Sequence, residues 1–108
     1  MPTALDSTFA ALADPVRRAL VTRLARGDAT VGELAEPFDL TQQAISHHIG
    51  VLRQCGLVEQ RRAGTRRPCR LNVEQLSLLS TWIEDQRRAW DDRLDVLEQH
   101  LSDDGTAR

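Results

Sequence analysis

Gln42, Gln43, Ser46 and His47 stand within six consecutive positions, and each carries a side chain that can both donate and accept hydrogen bonds. Such groups suit the edges of base pairs, because each pair presents its own row of donors and acceptors in the major groove. Around them Ile45, Ile49 and Leu52 recur at i, i+4 and i+7. That helical period turns the apolar stripe inward and leaves the four polar side chains outward on the first turns. Thr41 precedes them, where its hydroxyl can cap the helix. Upstream, Thr30 with Glu33 three residues later forms a capping box, after which Leu34 and Ala35 turn inward. Asp39-Leu40 makes the turn, so residues 30–57 read as a helix-turn-helix. A helical hairpin whose polar face is merely solvated would show the same pattern. The segment that follows separates the two readings.

Gly56 stops the second helix; 57–62 then reads as a strand, Ala63-Gly64-Thr65 as a turn and 66–72 as the return strand. Residues 41–72 hold six arginines (Arg53, Arg61, Arg62, Arg66, Arg67, Arg70) against one acid, Glu59, a local balance of +5. Residues 1–40 carry four arginines and six acids, and 73–108 carry four arginines and nine acids. An overall charge of −2 would ordinarily argue against nucleic acid, but the polarised distribution puts the cations where a phosphate backbone would lie. The chain has no lysine. Genomic base composition accounts for that bias, and arginine also suits bidentate phosphate contacts.

These segments together resemble the winged helix-turn-helix repressors of the ArsR/SmtB type. The carriers are ALADPVRRALVTRLARG, VGELAE, LTQQAISHHIGVLRQCGLV and QRRAGTRRPCRLN, and the resemblance covers about residues 7–101. It implies a homodimeric bacterial transcription factor that represses its own operon, with the helix at 41–55 in the major groove. By position it implies that Gln42, Gln43, Ser46 and His47 read bases, while Thr41, His48, Arg53, Arg62, Arg66 and Arg67 hold phosphates.

The elements that must position this site read as helices. Residues 5–12 form the first, with Phe9 and Leu12 as its anchors. Asp14-Pro15 then pairs a cap with a proline at the first helical position, where its missing N–H costs nothing. Val16, Leu20, Val21 and Leu24 make an apolar face ending at Gly27. Arg17, Arg18, Arg23 and Arg26 read as a solvated face, although they could reach phosphate. Asn72 with Gln75 three residues on opens a last helix, free of Gly and Pro from 73 to 102. Leu76, Leu79, Ile83, Trp90, Leu94, Leu97 and Leu101 follow a near-heptad seam along it. Such a helix is about 42 Å long, more than a domain of this size can cover. The same helix of a second subunit, together with the first helix, is the economical partner. The expected interface is Phe9, Leu79, Ile83, Trp90, Leu94, Leu97 and Leu101, with a monomer whose helix folds back as the alternative. Two-fold symmetry would set two recognition helices roughly 34–36 Å apart and predicts an inverted-repeat operator. Trp82 and Trp90, the only tryptophans, anchor the core or interface on this reading; lining a ligand pocket is the other possibility.

The fold expected is therefore mainly α with a small β-hairpin: one winged helix-turn-helix domain over 1–102, with recognition helix 41–55, wing 57–72, dimerisation helix 73–102 and a disordered tail at 103–108. Neither a secretory signal nor an apolar run near membrane-span length is present, so a cytoplasmic protein is expected. Many members of the resembled family sense metals, through a Cys-x-Cys pair ahead of the recognition helix or through Asp, His and Glu on the last helix. The matching TVGELAE holds no thiolate. The last helix has Asp85, Asp95, Glu98 and His100 but lacks the second histidine that tetrahedral zinc favours, and adjacent His47 and His48 diverge by about 100°. No metal or cofactor is expected. Cys55 and Cys69 read as reduced, small apolar fillers, with a thiol switch as the alternative. An enzyme has no support, for want of a nucleophile setting or a Gly-rich phosphate loop. The function expected is an autoregulatory, metal-free repressor on double-stranded DNA. A winged-helix protein-interaction module, or a thiol- or ligand-responsive repressor, are the alternatives.

Overall fold

Side-chain caps set where each helix begins. The computed structural model describes residues 3–106, with side chains to 102, and holds five helices and one hairpin among them: α1 (Ala4–Leu12), α2 (Pro15–Leu24), α3 (Val31–Ala35), α4 (Gln42–Gln54), β1 (Val58–Gln60), β2 (Cys69–Leu71) and α5 (Val73–Thr106). Asp14 accepts from the amides of Val16 and Arg17 ahead of Pro15. Thr30 and Glu33 close their capping box, Thr41 accepts from the Ala44 amide, and Asn72 accepts from the amides of Glu74 and Gln75. A further capping box, Thr3 with Asp6, opens α1. Each satisfies amides that have no partner inside their helix.

The core lies where α2, α3, α4 and the hairpin meet, around Leu20, Leu24, Leu34, Ile45, Leu52 and Leu57. The expected stripe Ile45, Ile49 and Leu52 is buried, as are Leu20, Val21 and Leu24 on α2. α2 ends at Leu24, before Gly27, whose φ of 151° belongs to the connection instead.

Two expectations about α1 and α5 need correction. The residues of α1 that are buried are Thr8 and Ala11, whereas Leu12 is only partly buried and Phe9 is 40% exposed. Small side chains let α1 approach α5 closely. There the Thr8 hydroxyl donates to the Ala4 carbonyl at 2.7 Å and accepts from Gln75 Nε2 at 3.1 Å. Phe9 instead meets Trp82 of α5 edge to face, with centroids 5.5 Å apart. Leu79, expected at the dimer interface, is only 6% exposed within its own chain, so it belongs to the protomer.

The wing strands are three residues each, shorter than expected, paired antiparallel as Val58↔Leu71, Glu59↔Arg70 and Gln60↔Cys69. Pro68 has no N–H to extend the ladder. Its carbonyl still accepts from the Arg61 amide at 3.0 Å, and Ala63 bridges Arg66 around Gly64, at φ 66°. Cys69 also exchanges two backbone hydrogen bonds with Ala29, at 3.2 and 2.7 Å, tying the wing to the α2–α3 connection.

α5 continues for 34 residues, about 51 Å at helical rise. It runs through 103–106, where a disordered tail was expected, because nothing before Gly105 breaks it; residues 107–108 lie outside the described residues. From Ser80 to Ser102 every residue is exposed. No helix among the described residues is long and apolar enough to cross a membrane.

Candidate nucleic-acid interface

α4 carries the polar row. With Ile45, Ile49 and Leu52 pinned in the core, Gln42, Gln43, Ser46 and His47 stand exposed on its outer face. Thr41 is exposed too; its oxygen is engaged as the cap at 3.1 Å, which leaves its O–H free to donate outward. His48 is half-buried, its Nδ1 3.3 Å from Nη1 of Arg17, so that edge of the ring turns toward α2.

Arg53 sits exposed on the last turn of α4, some 17 Å of helical rise from Gln42. It lines one shallow depression together with Gln60, Arg61, Arg62 and Arg67 of the wing. Four guanidinium-bearing side chains thus converge on a concave surface continuous with the end of α4. Arg61, which position in the motif did not single out, belongs to this group. The local excess of arginines over 41–72 was the signal that could have found it. Arg70 stands outside the depression, opposite Glu59 across the strands.

Arg66 is differently placed. Its Nη2 pairs with Glu33 Oε1 at the start of α3, a contact between residues 33 apart. Hydrogen bonds from the Thr30 hydroxyl and amide, then from Arg66, hold the Glu33 carboxyl below its ordinary range. The Glu33 carboxylate thus stands where it would compete with a phosphate for Arg66. Glu33→Gln keeps a capping-box residue but removes the competing charge. The expected outcome is about two- to fivefold tighter DNA binding with an unchanged helical spectrum, checked by anisotropy titration; weaker binding would overturn this competition.

Hydrogen bonds from the amides of Arg17 and Val16 hold the Asp14 carboxyl below its ordinary range, aided by the Arg17 guanidinium. Burial pushes the Cys69 thiol up, which keeps it protonated and unreactive at neutral pH. Cys55 is half-buried, with its Sγ donating to the Leu52 carbonyl at 3.3 Å; both cysteines are free thiols. No three His, Cys, Asp or Glu side chains converge among the described residues.

Known proteins resemble this chain in sequence and in fold. A family model described as a helix-turn-helix domain matches residues 12–61. The HTH-type transcriptional regulator Rv2034 of Mycobacterium tuberculosis is 41% identical over 100 residues, covering 93% of this chain and 91% of that protein. The transcriptional repressor SdpR of Bacillus subtilis is 33% identical over 79 residues, 73% of this chain and 88% of that protein. Among solved structures, an ArsR-like transcriptional regulator from Rhodococcus sp. RHA1 superposes with a TM-score of 0.77 at 34% identity, over 89% of this chain and 91% of that one. The homodimeric winged helix-turn-helix DNA-binding domain of Mb0332 from Mycobacterium bovis does so with 0.65 at 28% identity, over 77% and 80%.

Proposed function

The chain belongs to the ArsR/SmtB family of winged helix-turn-helix transcriptional regulators, and we propose that it is a homodimeric, metal-independent repressor of an inverted-repeat operator that controls its own gene. The observation that carries this reading is the exposed polar row of α4, a helix whose last turn, at Arg53, lines the arginine-rich depression of the wing. One surface is built to read base edges and the other to neutralise phosphates, the division of labour that specific DNA binding needs. The uncovered seam of α5 and the homodimeric Mycobacterium bovis relative support the dimer. Repression follows from occupying DNA that polymerase needs, in the cytoplasm, by binding and without catalysis.

In the assigned roles, Gln42, Gln43, Ser46 and His47 read bases. Thr41, Arg53, Arg61, Arg62 and Arg67 bind phosphate directly, and Arg66 does so once released from Glu33. Gln43→Ala and His47→Ala are each expected to cost about 1–3 kcal/mol at the correct operator and to relax preference at one position per half-site. Competition titrations against single-base operator variants check this, and equal losses on every duplex would contradict it.

The test of the whole reading is anisotropy titration of DNA upstream of the protein's own gene and of a scrambled duplex, at several salt concentrations. Tight, steeply salt-dependent binding with preference for the upstream duplex is expected. Weak, equal binding to both would leave the wing a nonspecific anion patch and favour a protein-interaction module.

A further inference from the structure

We propose that Arg17 is a positioning residue for DNA recognition: it holds His48 as the Nε2–H tautomer, so that His48 presents an uncharged hydrogen-bond donor to a phosphate oxygen. This rests on the reading of α4 as the DNA-contacting helix. Arg17 is itself fixed at three points. Its amide donates to Asp14 at 3.1 Å, its Nε to the Ala11 carbonyl at 2.6 Å and its Nη2 to the Ala10 carbonyl at 3.5 Å, which anchors the guanidinium against the end of α1. The remaining nitrogen, Nη1, lies 3.3 Å from His48 Nδ1. A guanidinium has donors only, so Nδ1 must offer its lone pair and the ring proton must sit on Nε2.

Nε2 makes no hydrogen bond within the described residues, and no buried side-chain nitrogen or oxygen among them lacks a partner, so Nε2 opens to the surface. Thr41 lies seven residues before His48, on the same face of the helix and about 10.5 Å along it. The Thr41 O–H and the His48 Nε2–H therefore form a pair of neutral donors beside the base-reading row. The anchored Arg17 guanidinium occupies the Nδ1 side of the ring, with Nη1 aimed at that nitrogen.

A neutral donor displaces no counterion. Losing it lowers affinity without changing the salt slope, unlike losing an arginine contact. Glutamine carries its amide nitrogen near the place of Nε2, whereas asparagine carries it near Nδ1, facing Arg17. The experiment measures salt-dependent operator binding by wild type, His48→Gln, His48→Asn and Arg17→Met, together with long-range proton–nitrogen NMR spectra of the imidazoles in the free protein. Expected are a protonated Nε2 in wild type, a tautomer mixture in Arg17→Met, binding by His48→Gln within about threefold of wild type, and about tenfold weaker binding by His48→Asn with an unaltered slope. A proton on Nδ1 in wild type overturns the proposal, as does operator binding by His48→Asn equal to that of wild type, or a slope flattened as by arginine loss. If Arg17→Met fails to fold, the wild-type spectrum and the two His48 variants still decide. Failure of wild type itself to bind DNA would count against the function, while the spectrum would still report the tautomer.

Discussion

Leu94→Asp combined with Leu97→Asp is expected to yield a monomer whose affinity for an inverted-repeat duplex is about 10²- to 10⁴-fold lower, the factor lost when two linked binding events become independent. In a single chain Leu94 is 42% exposed and Leu97 54%, and they continue a stripe with Ile83, Trp90 and Leu101. A buried leucine contributes about 1.5–3 kcal/mol, and the two-fold axis doubles every substitution. A carboxylate placed in that seam would also have to be buried without a partner. Neither leucine belongs to the core around α2, α3 and α4, so the winged domain should stay folded and bind an isolated half-site as well as wild type does. Light scattering reads the mass, and titration of full-site and half-site duplexes reads the bivalency. A variant that remains dimeric at micromolar concentration would place the interface elsewhere. Trp90→Ala, which removes the most exposed ring of the stripe at 58%, should show the same shift in weaker form.

Removing the basic depression should have the next largest effect. Arg61→Ala, Arg62→Ala and Arg67→Ala together delete three cations per wing from the surface that Arg53 shares, hence six in the dimer. At about 0.9 units of salt slope per phosphate contact, the slope should flatten by about five units, and affinity at low salt should fall by about 10³-fold or more. The loss should be nearly the same for operator and scrambled DNA, because phosphates carry no sequence information. Arg70→Ala, outside the depression and opposite Glu59, serves as the control and should change the slope little. A triple variant with the wild-type slope would show that the wing does not touch the backbone.

Much of this protein was legible in its sequence because the relevant physics is local. Caps at Asp14, Thr30, Thr41 and Asn72 act within three residues of themselves, and the stripe of Ile45, Ile49 and Leu52 repeats within two helical turns, so each can be read without knowing what packs against it. Charge segregation into residues 41–72 is likewise a property of the chain alone. What the tertiary structure decided are pairings between distant segments. Arg17 meets His48 across 31 residues, Glu33 claims Arg66 across 33, and Thr8 meets Gln75 across 67. Cys69 bridges to Ala29, and Leu79 is spent on the protomer while the seam beyond it stays open. The 3- and 4-residue spacing that put Leu79 on the apolar seam of the last helix is local in the same way. Which neighbour each face meets depends on how closely whole helices approach, and that is set by the small side chains at their crossing and by the packing of the entire core.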